Sequence, residues 1–132
     1  MNGEVMAGRP EDVLRQYEDK INLHRFDELV PLISSEATFW FSEGSFSGTS
    51  EIRSAFEKTW QAIQDESYWL EDLRWIAVGD DAASCTYGFR WRGTVDGQVR
   101  SGGGRGTTVL RREAGQWKIV HEHLSSLPTA RE

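Results

Sequence analysis

Cysteine is almost missing from this sequence of 132 residues, which contains Cys85 alone. A single cysteine can form neither an intramolecular disulfide nor a cysteine zinc cluster. No apolar run approaches the roughly 20 residues of a membrane-spanning helix, and residues 1–13 lack the hydrophobic segment of a secretory signal. We therefore expect a cytoplasmic protein that buries one core without disulfide or metal support.

Positive charge is also scarce, because 15 Lys and Arg residues stand against 21 Asp and Glu residues, which gives a net charge of -6. Without a basic cluster, the chain is a poor candidate for binding nucleic acid or an anionic membrane. Its length is that of one domain. We expect this domain to span residues 9–127, between short tails at residues 1–8 and 128–132.

Aromatic residues, in contrast, are plentiful: they make up 11% of the chain and include 6 tryptophans. Aromatic side chains bury large areas, so they favour a well-packed core. They can equally line a cavity for a small organic ligand. Composition alone leaves both interpretations open.

Apolar spacing predicts three helices in the first half of the chain. The first begins at Pro10, because proline suits the first helical turn and the acidic residues that follow suit its positive end. Residues 26–33 predict a second, short helix that Pro31 limits. Apolar residues spaced four apart over residues 52–63 predict a third, amphipathic helix.

The rest of the pattern predicts an antiparallel sheet. A short strand pair is expected at residues 37–41 and around Phe46. Turn signals such as Asp96-Gly97 then separate four long strands. These strands are predicted at residues 68–78, 82–95, 105–112 and 117–124. Helices followed by antiparallel strands indicate an α+β fold, and solvent or a second chain must cover the face of the sheet that the helices leave free.

Residues 102–106 read GGGRG but lack the lysine, the hydroxyl and the following helix of a phosphate-binding loop. We interpret them as a flexible approach to a hairpin or as a bulge. Arg90 and Arg92 share one strand face, which is either a solvated charged face or, if buried, a site for a carboxylate ligand. Cys85 has no histidine nearby in sequence, so we expect a small strand residue rather than a nucleophile.

His121, Glu122 and His123 place ionisable side chains on both faces of the last predicted strand. Either the odd-numbered side chains from Trp117 to His123 face the helices, or the even-numbered ones do. In the second phase, burial would raise the pKa of the Glu122 carboxyl, as a general acid or base near neutral pH requires. The two histidines could share a metal ion, but no clear third ligand accompanies them, so we expect no metal site.

Residues 109–125 read VLRREAGQWKIVHEHLS, and residues 46–60 read FSGTSEIRSAFEKTW. These segments resemble the nuclear transport factor 2-like superfamily, in its branch of SnoaL-like proteins and calcium/calmodulin-dependent kinase II association domains. The resemblance covers about residues 10–127. It implies a curved sheet wrapped on three helices as a cone with a cavity, and a homodimer through the outer sheet face. Function does not follow from this fold, which hosts several kinds of enzyme and non-catalytic assembly modules.

The same resemblance implies roles for particular residues. It turns Glu122 inward, as a candidate general base, and matches Tyr17 to a tyrosine that would donate a hydrogen bond to a developing oxyanion. It does not extend to ketosteroid isomerase chemistry, because Phe41 and Thr107 stand where that chemistry needs acids. We expect the wall of a ligand pocket to include Trp40, Trp60, Tyr87, Arg90, Thr108 and Leu124.

These expectations combine into two hypotheses. The first is a cofactor-free, dimeric SnoaL-like protein that binds a small apolar or carboxylate ligand. If it is an enzyme, the reaction would be a proton transfer or hydration on a small apolar carbonyl compound. The second is a non-catalytic oligomerisation module like the kinase association domain.

Overall fold

The computed structural model describes residues 8–127, which form two α-helices, two short 3₁₀ helices and one six-stranded sheet. Helix α1 spans Pro10–Ile21 and helix α2 spans Gly48–Ala62. The strands are β1 Ile33–Phe41, β2 Gly44–Ser47, β3 Gln64–Val78, β4 Ala82–Val95, β5 Gln98–Glu113 and β6 Gln116–Ser126. Apart from Gly8, the predicted tails lie outside the described residues.

Helix α1 forms where its sequence predicts. It begins at Pro10, whose missing N–H is not needed in the first turn, and Glu11 and Asp12 suit the positive end of the helix dipole. Its apolar stripe packs toward β3 and β6. This places Tyr17, which is 1% exposed, in the interior of the protein.

The predicted second helix is present as two consecutive 3₁₀ helices, Phe26–Glu28 and Val30–Leu32. Pro31 lies in the second of them and has no N–H to give to an α-helical turn, so the chain forms tighter single turns instead. Phe26 and Leu29 are nevertheless buried, as the apolar spacing indicated.

The sheet is mixed rather than wholly antiparallel, and its strand order is β2-β1-β6-β5-β4-β3. Strands β1 and β2 form an antiparallel hairpin, and strands β3 to β6 form an antiparallel meander. Strand β6, however, runs parallel to β1. Helix α2 causes this arrangement, because it carries the chain to the far edge of the sheet and the meander returns to β1 with its last strand.

One hydrophobic core joins the α-helices to one face of the sheet, which we call the inner face; the opposite side is the outer face. Leu14 of α1 and Ile52 of α2 belong to the same buried cluster as Phe39, Leu110 and Ile119 of the sheet. No helix among residues 8–127 is both long enough and apolar enough to cross a membrane.

The glycines of residues 102–106 make room for aromatic rings, which corrects their interpretation as a flexible or bulged segment. Each inward glycine lies opposite an aromatic residue of β4 in unbroken register: Gly102 opposite Trp91, Gly104 opposite Phe89 and Gly106 opposite Tyr87. A Cβ atom at Gly106 would collide with the Tyr87 ring. The β4 rings pack over the glycines and so supply the contacts that these residues cannot make with side chains of their own. The glycine segment is therefore part of β5, which begins at Gln98 rather than at residue 105.

A bulge in β6 decides which side chains of that strand face the helices. The pairing with β5 leaves Val120 as an extra residue in β6. One extra residue reverses the alternation of side chains along a strand. Trp117 and Ile119 before the bulge and Glu122 after it are therefore all buried. The odd-numbered side chains therefore face the helices before the bulge, and the even-numbered side chains face them after it, so each of the two predicted phases holds for one part of β6.

Candidate functional site

A cavity of about 300 Å³ lies between the two α-helices and the inner face of the sheet. Its volume is at the lower end of the range in which proteins hold small organic ligands. Most of its wall is aromatic or aliphatic, and three glutamates interrupt it. The lining residues are Tyr17, Ile21, Phe41, Ser42, Glu43, Phe56, Thr59, Trp60, Ile63, Glu66, Tyr68, Phe89, Trp91, Gly103, Glu122, Leu124 and Ser126.

Glu122 contributes a carboxyl group to this wall and is only 2% exposed. The Tyr17 hydroxyl donates to its Oε2 atom over 3.1 Å, and the Tyr87 hydroxyl donates to its Oε1 atom over 3.4 Å. Burial raises the pKa of the Glu122 carboxyl to about 7, although these hydrogen bonds favour the ionised form. Both protonation states are therefore populated near neutral pH.

The hydroxyl groups around Glu122 are hydrogen-bond donors. Burial, and next to it the nearby Glu122 carboxylate, raise the pKa of Tyr17 and the pKa of Tyr87 well above the usual tyrosine value. Thr108 of β5 is fully buried, and its Oγ1 atom lies 2.7 Å from the Tyr87 hydroxyl oxygen. The two tyrosines consequently stay protonated at neutral pH and can donate a hydrogen bond there.

A second acid, Glu66, lines the same cavity, and the sequence analysis did not single it out. Glu66 is 8% exposed, and burial raises the pKa of its carboxyl to about 7. Within residues 8–127 its carboxyl oxygens accept no side-chain hydrogen bond; only its main-chain carbonyl is bonded, to His24. The cavity thus holds two buried carboxyl groups in different surroundings.

A bulge in β3 turns Glu66 toward the cavity. Asp65 and Glu66 together lie opposite the single residue Gly93 of β4, and Asp65 has a positive φ of 54°. Gly93 permits this close approach, because a Cβ atom there would lie 2.9 Å from the Gln64 carbonyl oxygen. An isolated glycine inside a strand pattern can mark such a bulge, and Gly93 was the signal available in the sequence.

Trp60 and Leu124 line the cavity as expected from the sequence. The Trp60 ring stacks on His24 with centroids 5.4 Å apart. The Nε2 atom of His24 donates to the Glu66 carbonyl oxygen over 2.9 Å, which ties the end of α1 to the β3 bulge. Of the predicted site residues, Tyr17, Trp60, Glu122 and Leu124 line the cavity, whereas Tyr87 and Thr108 join them only through the hydrogen bonds around Glu122 and are not part of the wall.

Trp40 and Arg90 do not join this cluster, because both lie on the outer face. Trp40 is 47% exposed, with its ring 4.8 Å from that of His121, and the Nε atom of Arg90 lies 3.3 Å from Glu71 Oε1. Their neighbours in sequence face inward, so strand alternation turns these two side chains outward. We correct the expectation that they line the pocket, and the argument from Arg90 for a carboxylate ligand falls with it.

The two histidines of β6 also lie on the outer face. The Nδ1 atom of His121 is 2.8 Å from Thr38 Oγ1, and His123 is exposed. In the part of the chain that the structure describes, no group of three or more histidine, cysteine or acidic side chains is arranged to hold a metal ion.

An open mixed sheet with helices on one face defines this protein as a member of the nuclear transport factor 2-like fold class. It superimposes on such a protein from Salmonella enterica with a TM-score of 0.82, at 20% identity over 91% of this chain and 89% of that one. The chain belongs to the family described as SnoaL-like domain, whose model matches residues 11–130. This confirms the resemblance inferred from the two sequence segments.

Two further solved structures share the fold. LinA has a TM-score of 0.80 at 14% identity, over 89% of this chain and 83% of that one. The association domain of C. elegans CaMKII has a TM-score of 0.71 at 20% identity, over 88% of this chain and 94% of that one. At these identities the similarity establishes the fold alone. No curated protein matches the chain in sequence.

Proposed function

We propose that this protein binds a small, mainly apolar carbonyl compound in the cavity and transfers a proton on it without a cofactor. The observation that carries the proposal is the Glu122 carboxyl, which lines a largely apolar cavity and has a pKa of about 7. General acid–base catalysis is most efficient when the pKa of the catalytic group lies near the working pH.

Glu122 would act as the general base. Its carboxylate removes a proton from the carbon next to the carbonyl group, and the electron pair of the broken C–H bond moves to the carbonyl oxygen to give an enolate. Glu122, now protonated, exchanges its proton with solvent or returns it to the same carbon or to a conjugated one. The cycle balances with a single carboxyl group, so it needs neither an oxidant nor a cofactor.

Tyr17 would stabilise the enolate. Its hydroxyl now donates to Glu122, and a carbonyl oxygen bound beside that carboxyl can accept the same hydrogen bond. Because burial raises the pKa of Tyr17 well above its usual value, the hydroxyl keeps its proton and acts as a donor. A donor held in a buried site stabilises developing negative charge more strongly than one in water.

Exchange of α-protons with solvent tests this proposal without knowledge of the natural substrate. The protein is incubated with cyclohexanone or 2-tetralone in D₂O near neutral pH, and the loss of the α-proton signal is followed by NMR. We expect the wild-type protein to accelerate exchange. Glu122→Gln keeps the shape and can still accept one tyrosine hydrogen bond at its amide oxygen, but it cannot take up a proton, so it should lower the rate by about 100-fold or more.

Glu57→Gln is the matched control, because it makes the same chemical change on an exposed residue of α2. This variant should exchange the ketone protons as fast as the wild type does. Equal rates for wild type, Glu122→Gln and buffer would contradict the proposed proton transfer.

A non-catalytic assembly function is the second candidate, and the outer face of the sheet favours it. Trp40 of β1 and Trp69 of β3 expose 47% and 38% of their surfaces there, and a second chain could cover both. The fold is also shared with the CaMKII association domain. Both candidate functions predict that a second chain covers this face, but they differ in the number of chains.

The mass in solution distinguishes the two candidates. We expect light scattering to give twice the chain mass of 15.0 kDa, as for a homodimer through the outer face. Trp40→Glu places a charge in that contact and should yield single chains, whereas Lys58→Glu on the exposed side of α2 should not. A ring of many chains would favour the assembly function, and a wild-type monomer would contradict the dimer.

A further inference from the structure

The cavity wall contains more carboxyl groups than the proposed proton transfer requires. Glu66 and Glu122 are buried in its wall, Glu43 stands at its exposed rim, and no Lys or Arg is among the described residues that line it. Carboxyl groups around a space with little water create a negative potential, which attracts cations and repels anions. The cavity therefore disfavours a carboxylate ligand.

Glu66 is the buried acid in this wall whose carboxyl has no partner among residues 8–127. Glu122 receives two tyrosine hydroxyls, and Glu18 on α1 accepts the main-chain N–H of Leu70 over 2.9 Å. His24 directs its Nε2–H to the main-chain carbonyl of Glu66, not to its carboxyl group. Glu66 as a residue is 8% exposed, and a buried carboxyl without a donor is costly, so a ligand that donates to it supplies the missing hydrogen bond.

Aromatic rings surround the same space. Trp60, Tyr68 and Trp91 line the cavity together with Glu66. The faces of such rings attract cations, and the attraction is strongest where water is excluded. A wall that contains both carboxyl groups and aromatic rings is thus complementary to an organic ammonium group.

We propose that Glu66 forms a binding subsite for a protonated amine, so that the cavity takes a small ring compound that carries a basic nitrogen. The inference deepens the proposed function and rests on it: Glu122 and Tyr17 act on the carbonyl end of the substrate, and Glu66 holds its amine end. The bulge at Asp65 is the structural device that brings this carboxyl into the wall.

The ionisation of Glu66 is consistent with this role. Burial raises the pKa of the Glu66 carboxyl to about 7, and a bound ammonium group stabilises the carboxylate form. Amine binding therefore converts a costly buried acid into an ion pair. Burial, and next to it the carboxylates of Glu122, Glu66 and Glu18, raise the pKa of Tyr68 in the same wall.

Three probes that share a phenyl ring test the subsite by isothermal titration calorimetry near pH 7.5: 2-phenylethylamine and 2-phenylethanol, which have the same size, and the slightly larger 3-phenylpropionate. The amine is a cation, the alcohol is neutral and the carboxylate is an anion. We expect the wild-type protein to bind the amine at least about tenfold more tightly than the alcohol, and the carboxylate most weakly. Glu66→Gln should lose most of the preference for the amine, because only the aromatic rings and the other carboxyl groups still attract the cation. Glu43→Gln, at the exposed rim, should keep the preference for the amine.

An amine that binds no better than the alcohol would overturn the subsite, and so would an amine preference that is as strong in Glu66→Gln as in the wild type. Unchanged alcohol affinity shows that the Glu66→Gln variant keeps its cavity. The test is separate from that of the proton transfer, because Glu122→Gln should still prefer the amine although it has lost the general base. Failure of ketone exchange alone contradicts the catalytic role of Glu122 and leaves the amine subsite standing.

Discussion

Gly104→Ala is expected to lower the free energy of unfolding by about 3 kcal/mol. The added Cβ atom would collide with the main-chain carbonyl oxygen of Ser125 in β6 and lie 2.8 Å from the Phe89 ring. A flexible side chain could move away, but the Ser125 backbone cannot shift without disturbing its pairing with Arg105 of β5. Urea denaturation followed by tryptophan fluorescence measures the effect.

Gly88→Ala is the matched control, because Gly88 lies on the adjacent strand and faces outward. A Cβ atom there would make only ordinary contacts, 3.7 Å from the Gly104 carbonyl oxygen and 3.8 Å from that of Glu71. We expect a change below about 1 kcal/mol for this variant. Equal losses for both alanines would show that strand glycines are sensitive for reasons other than the aromatic packing described above.

The second large effect is a pH-dependent difference in stability between the wild type and Glu122→Gln. The pKa of Glu122 is about 7 in the folded protein against an ordinary value of 4.5, so the folded state holds the proton more tightly than the unfolded chain does. This contribution to stability is fully present below about pH 4.5. It is lost as the pH rises through 7, and the total loss is about 3 kcal/mol.

The comparison with Glu122→Gln isolates this term, because all other titrating groups are common to both proteins. Between pH 4.5 and pH 8, the glutamine variant should gain about 3 kcal/mol in unfolding free energy relative to the wild type. Glu57→Gln should show no such pH-dependent gain. If the unfolding free energies of the wild type and Glu122→Gln changed equally with pH, folding would not raise the pKa of the Glu122 carboxyl.

Short sequence patterns were sufficient to predict the helices and the side of the cavity that α1 forms. Proline followed by two acids determines where α1 begins, and apolar spacing along that helix turns Tyr17 inward. The two family-like segments correctly indicated the fold class. These features depend on residues that are close in sequence, so no knowledge of pairing partners was needed.

The short sequence patterns did not predict the bulges in β3 and β6. The inward position of both buried carboxyl groups, those of Glu66 and Glu122, depends on these bulges. A strand with strict alternation would place Trp117 and Ile119 on the face opposite Glu122, yet the extra residue Val120 puts all three inside. Asp65 has the same effect for Glu66. Where a bulge forms depends on the partner strand, which lies far away in sequence.

The other differences between the predicted and the observed structure arise because a residue type was interpreted without knowledge of the residues it contacts in the fold. Glycine disfavours a strand locally, so the sequence predicts β5 only from residue 105 and misses residues 102–104; the aromatic rings that compensate belong to β4. Arg90 and Trp40 were chosen for their chemistry, although alternation against their inward neighbours Phe89 and Phe39 places them outside.

The central claim is that the fold keeps the Glu122 carboxyl half protonated at neutral pH beside an apolar cavity. A ¹³C NMR titration of glutamate side-chain carboxyl carbons tests it most directly, with the Glu122 signal assigned by its absence from Glu122→Gln. We expect this carboxyl to titrate with a pKa of about 7. A pKa near the ordinary 4.5 would contradict the claim and remove the basis for a general base in this cavity.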